Sequence, residues 1–229
     1  MKALLATGLT IATLFSSPAL AQDIEAEVDL FEMQFDGGDD AFVFDSTLAI
    51  GNGVDGVALK VEGGSEAGPD LDEIGAQLLY TRTIGARTTL LMGVRRDFLP
   101  GDDINYATVA VEHSVGDIVE LESYFYLSEH GDLTATAQAL VAAPLTQSLT
   151  FEPRFEVAWA AQDIVEEDIA SGLTGISVSA RLRQAIGPIL NVYGGVIHER
   201  LVGDTRSIAR AAGESWNISS FIIGAGMAF

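Results

Sequence analysis

Apolar and polar residues alternate along much of this 229-residue chain, most clearly between residues 119 and 159. Every second residue from Leu149 gives Leu149, Phe151, Pro153, Phe155, Val157 and Trp159, while the intervening set is Thr150, Glu152, Arg154, Glu156 and Ala158. In the same way Val119, Leu121, Ser123, Phe125 and Leu127 stand against Glu120, Glu122, Tyr124, Tyr126 and Ser128. A period of two sends successive side chains to opposite faces of a strand, and about ten residues is the length a tilted strand needs to cross a bilayer. Related patterns predict strands over 27–35, 41–50, 57–61, 73–84, 87–98, 106–113, 119–128, from 133, 149–159, 176–183, 190–199 and 217–229. In the first, Val28, Leu30 and Glu32 are expected on one face; in the last, Phe221, Ile223, Ala225, Met227 and Phe229 share a register. Twelve segments result, and ten is the alternative count.

The connections alternate as well. Odd-numbered ones include all the long acidic stretches, among them 63–72, 161–172 and 200–216, the last with a short helix expected over 208–212. Even-numbered ones are tight turns such as Gly51-Asn52-Gly53 and Ile186-Gly187-Pro188, built from residues that tolerate the backbone angles a turn demands. Short turns on one side, long loops on the other and an even strand count are the layout of an outer-membrane barrel. The expected fold is therefore all-β, a transmembrane antiparallel up-and-down β-barrel, with a soluble β-sandwich as the alternative. A terminal aromatic, Phe229, suits the last strand of such a barrel.

Composition supports export. Residues 1–21 carry Lys2, an uncharged apolar run and Ser-Pro-Ala-Leu-Ala before Gln22, the pattern of a cleaved signal peptide, so 22–229 are expected to form the barrel. The full chain has 12 Lys and Arg against 33 Asp and Glu, a net charge of -21; without Lys2 it becomes -22. Such an excess of acid disfavours nucleic acid and favours cations, or a cation-bridged lipopolysaccharide surface, as partners. Cysteine is absent, so disulfides and thiolate metal ligands are excluded.

If Phe151, Phe155 and Trp159 face lipid, the lumen receives Glu120, Glu122, Glu152, Arg154, Glu156, Arg181 and Arg183, with Arg95 and Asp97 joining them. Charge of both signs predicts a largely filled, salt-bridged interior rather than a wide pore. Two groups of candidate metal ligands follow: the external turn Glu129, His130 and Asp132, where imidazole and carboxylates could hold a borderline divalent ion, and the lumenal Glu120, Glu122, Glu152 and Glu156. The loop acids Asp39, Asp40, Asp70, Asp72, Asp102, Asp103, Asp163, Glu166, Glu167 and Asp168 could collect cations loosely, meet lipopolysaccharide through bridging divalent ions, or simply keep the loops solvated. No catalytic constellation stands out, so no enzyme is expected; a membrane hydrolase would have to use His113 or His198.

Several stretches, in order along the chain, resemble the copper resistance protein B family of outer-membrane proteins. They are Leu79-Tyr80-Thr81-Arg82, Gly93-Val94-Arg95-Arg96-Asp97-Phe98, Tyr126-Leu127-Ser128-Glu129-His130-Gly131-Asp132-Leu133, Ala161-Gln162-Asp163 with Ser171-Gly172-Leu173, and Ala209-Arg210-Ala211-Ala212-Gly213-Glu214. The resemblance implies a barrel in the cell outer membrane, in contact with its lipid, that contributes to copper tolerance by binding copper ions or controlling their passage, alongside periplasmic copper-handling proteins. The methionine- and histidine-rich segment that precedes the barrel in many members is missing here, and Met33, Met92 and Met227 are isolated. A structural or small-solute barrel unrelated to copper is the rival expectation.

Overall fold

The computed structural model describes residues 23–38, 40–65, 71–98 and 102–229. The signal segment and the loop acids Asp39 and Asp70 lie outside these residues. Twelve long strands form one antiparallel sheet: β1 (Asp23–Phe35), β2 (Ala41–Gly51), β3 (Asp55–Ser65), β4 (Glu73–Thr83), β5 (Thr88–Phe98), β6 (Ile104–Val115), β7 (Val119–Ser128), β8 (Leu133–Val141), β9 (Leu149–Ala160), β10 (Gly172–Ile186), β11 (Leu190–Leu201) and β12 (Asn217–Ala228). The two-residue piece Ala143–Pro144 extends β8 along the start of β9. Each strand pairs with its sequence neighbours, and β12 pairs with β1. That last ladder closes the barrel and leaves no free edge, the condition for strands to lie in lipid.

Alternation fixes which side chains meet the bilayer. Phe31 (57% exposed), Val94 (58%) and Phe221 (71%) project outward, whereas Glu32 and Leu79 are enclosed. Phe151, Phe155 and Trp159 also lie on the exposed face, and Glu152 is buried behind them. On β4 and β5 the runs Leu78-Leu79 and Leu90-Leu91-Met92 hide the alternation, because apolar residues stand on both faces. Leu79 and Leu91 point inward and pack with Ala110 and Tyr124 as an apolar patch on the lumen wall.

Two local features depart from the sequence reading. Val28 and Leu30 do not share a face, because a β-bulge at Asp29 shifts the register: Val28 sits opposite Ser46 and Leu30 opposite Asp45. A bulge adds one residue to a strand and re-aims its side chain, and here it turns the Asp29 carboxylate toward the lumenal arginines. The helix in the last long connection, α1 (Gly203–Ala212), starts earlier than expected. Gly203 supplies a positive φ at its entry, and Gly213 ends it in the left-handed conformation.

Candidate functional site

The lumen has two contrasting sides. On one side, three arginines of β9 and β10 close on carboxylates of β1 and β9. Arg181 binds Glu32 through Nε and Nη2 at 3.0 and 2.9 Å, and both side chains are enclosed. Arg183 donates to Glu152 at 2.8 Å and to Asp29 at 3.0 Å, and Arg154 reaches Asp29 at 2.7 Å. Three arginines thus meet three carboxylates, in bonds that are strong because both partners are ionised. Tyr193 lies beneath them, its ring centre 4.5 Å from the Arg183 guanidinium and 5.8 Å from that of Arg181. The ring fills space left by Gly224, where a Cβ would come within 2.5 Å of it.

The other side, from β2 across to β9, encloses a cavity of about 350 Å³. Its carboxylates are Asp45, Glu62, Asp97, Glu122 and Glu156, and its cations are Lys60 and Arg95. Arg95 is consumed by Glu62 and Asp97, as expected for the Arg95 and Asp97 pair. Lys60 bonds Glu112 at 3.2 Å and the hydroxyl of Tyr124, which itself donates to Glu112 at 2.7 Å. Among the described residues, Asp45, Glu122 and Glu156 have no hydrogen bond or ion pair. The side-chain carbonyl of Gln77, a residue only 2% exposed, also lacks a partner and lines the same space. A buried polar group without a partner costs on the order of 1–3 kcal/mol, so the Gln77 oxygen is an acceptor open to a donor entering this space.

Of the lumenal candidates, Glu122 and Glu156 line the cavity, Glu152 belongs to the arginine network, and Glu120 lies exposed on the inward face of β7. The external turn uses its residues otherwise. Ser128 Oγ accepts from the backbone N–H of His130 at 3.2 Å and of Asp132 at 3.0 Å, and Gly131 takes φ 93°. Glu129 accepts from the backbone N–H and the amide of Asn105, each at 3.0 Å, and Asp132 accepts from Gln162 at 2.9 Å. These bonds tie the hairpin to β6 on one side and to the loop after β9 on the other. No three His, Asp or Glu side chains among the described residues are grouped as an inner-sphere metal site would need.

His113 and His198 both lie exposed on the outer surface, each bonded through Nδ1 to a cross-strand hydroxyl, Thr88 at 2.8 Å and Ser219 at 2.7 Å. What sequence reasoning missed in the lumen is Asp45 and Gln77. Inward alternation on β2 and β4 marks both as lumenal, but nothing along the chain says that they lie without partners.

A closed twelve-stranded barrel with an apolar outer face and a charged lumen defines the class of porin-type outer-membrane β-barrels. The NanC porin structure aligns over 90% of this chain and 99% of its own with a TM-score of 0.55 at 10% identity, a likeness of fold. Residues 23–229 match the family model described as copper resistance protein B precursor, and the chain belongs to that family. It is 29% identical over 198 residues to copper resistance protein B of Escherichia coli and 25% identical over 196 residues to the copper resistance protein B homolog of Pseudomonas syringae pv. tomato. Each alignment covers 86% of this chain and about two thirds of the relative, 67% and 66%. The protein resides in the outer membrane.

Proposed function

We propose that this barrel contributes to copper resistance without enzymatic chemistry, by taking hydrated copper ions into the acid-rich side of its lumen. The observation that carries the reading is the cavity in which Asp45, Glu122 and Glu156 stand unpaired beside the Gln77 carbonyl. Five carboxylates against two cations leave a negative excess, and a low-dielectric wall focuses that field on any cation entering. Because no three ligands among the described residues are grouped for direct coordination, the fit is to an ion that keeps its water shell and is held through outer-sphere hydrogen bonds. Such holding is loose, which suits passage or buffering better than storage. The relatives' names supply copper as the ion of interest; carboxylates and an amide oxygen alone do not select it from other divalent ions.

The test is twofold. Cells lacking the gene should lose copper tolerance or change their cell-associated copper, and a D45N/E122Q/E156Q variant should fail to restore them. Unchanged tolerance and unchanged copper content after deletion would rule the copper role out. In liposomes the same variant should slow Cu(II) entry several-fold; equal flux of uncharged solutes and Cu(II) in both proteins would favour a general small-solute barrel.

A further inference from the structure

Eight of the described cationic side chains, Lys60 and seven arginines, form at least one salt bridge with a carboxylate. The remaining three, Arg200, Arg206 and Arg210, have no carboxylate partner among the described residues, in a chain with 33 acids. They are not scattered. Their guanidinium carbons lie 5.1, 5.8 and 6.0 Å from the centre of one ring, that of Trp216. Arg206 Nε is buried with no acceptor. Three like charges no more than about 12 Å apart repel one another, and the face of one indole offsets this only weakly. Glu199, Asp204 and Glu214 stand close by in the chain, yet none of them forms an ion pair with these arginines. The arrangement fits an anion that arrives from outside.

The position indicates which anion. Arg200 continues the outward column Val196 and His198 on β11 and sits opposite Asn217, while Val196 and Phe221 form a lipid-facing pair below it. Arg206 and Arg210 come from α1, and the backbone of Trp216 bonds Leu201 at the rim of the barrel. The long connections belong to the outer face, so the three arginines stand just beyond the apolar band, at headgroup depth, where tryptophan also concentrates. We propose that Arg200, Arg206 and Arg210, gathered on Trp216, bind the phosphate of a phosphorylated glycolipid in the outer leaflet. Guanidinium groups match phosphate oxygens through paired N–H donors. The site is independent of the copper reading.

The folded barrel in mixed micelles should bind phosphorylated lipid A at least roughly tenfold more tightly than its dephosphorylated form, and R200Q/R206Q/R210Q should abolish that preference. The lysine triple variant should keep part of it, since charge remains while the forked geometry is lost. R87Q, which alters an exposed arginine on the turn side of the barrel, should bind as the parent does. If the triple variant does not fold, as judged by mobility without heating, R210Q alone, at an exposed helical position, should weaken binding about threefold. Equal affinity for the two lipids, an unaffected arginine variant, or saturation by inorganic phosphate at the same concentration would each overturn the proposal.

Discussion

On the β9–β10 side of the lumen, Asp29, Glu32 and Glu152 are each bound by arginine, and Tyr193 is pressed against Gly224 beneath them. On the β2–β7 side, Asp45 and Glu122 stand with Glu156 around open space. Residue types hardly differ between the two; the ratio of cation to acid does. Where the ratio is one to one, the groups close on each other and the wall becomes solid. Where acid exceeds cation, the surplus has nothing to close on, and an open space persists. The first side supplies specificity of closure, and the second leaves the open space on which the proposed ion binding rests.

The largest effect is expected from breaking the matched side. Arg181→Met leaves Glu32 enclosed and uncompensated, which should cost about 3–5 kcal/mol of unfolding free energy in lipid vesicles. Replacing Glu32 by Gln in the same chain should recover much of the loss. If the single substitution costs less than about 1 kcal/mol, water must reach Glu32 and the wall is not solid.

Next in size is Gly224→Val, which drives a side chain into the ring of Tyr193. Overpacking of this kind costs about 1–3 kcal/mol, and tyrosine fluorescence should report the displaced ring. Neutralising the other side should do the opposite. Asp45→Asn with Glu122→Gln removes two unpaired charges, so stability should hold or rise by up to about 1 kcal/mol, while preference for cations over anions in planar bilayers falls several-fold. A loss of several kcal/mol would show that these carboxylates are bonded after all.

The strands and faces were legible because alternation is local. Glu120, Glu122 and Tyr124 could be placed inside from their immediate neighbours, and so could Glu152 and Arg154. Partnership across the lumen was not legible. Arg181 and Glu32 are 149 positions apart, and their meeting depends on how the strands stagger when the barrel closes. The bulge at Asp29 was hidden for a similar reason: one inserted residue changes every facing after it. Mixed charge predicts a salt-bridged interior, and both sides hold salt bridges; what composition averages over is the surplus of acid that the fold concentrates around the cavity. The hairpin around His130 read as chemistry; Ser128 and Glu129 show that its polar residues first serve to hold the turn.

The same contrast between a bonded and a crowded acid recurs outside the barrel, where it can be titrated. The backbone N–H of Asn105, then its amide, holds the Glu129 carboxyl below the usual carboxylate range. Glu167, in the loop after β9, is raised by desolvation and then by the charge of Asp132. The signs differ. Glu129 contributes order that is fully present above its unfolded value and is lost as pH falls through its lower folded value. Glu167 is a burden at neutral pH that lightens as pH falls through its raised folded value and is gone below the unfolded one. Acidification should therefore act in two steps: Glu167 takes its proton first and relaxes the loop tied to Asp132 through Gln162, and only later does Glu129 release Asn105. Following the amide signals of Gln162 and Asn105 by NMR should show the Gln162 change at the higher pH. Glu129→Gln should remove the lower step alone. If Asn105 moves first, or both move together, the bonded and the crowded carboxylate do not differ in the way their surroundings require.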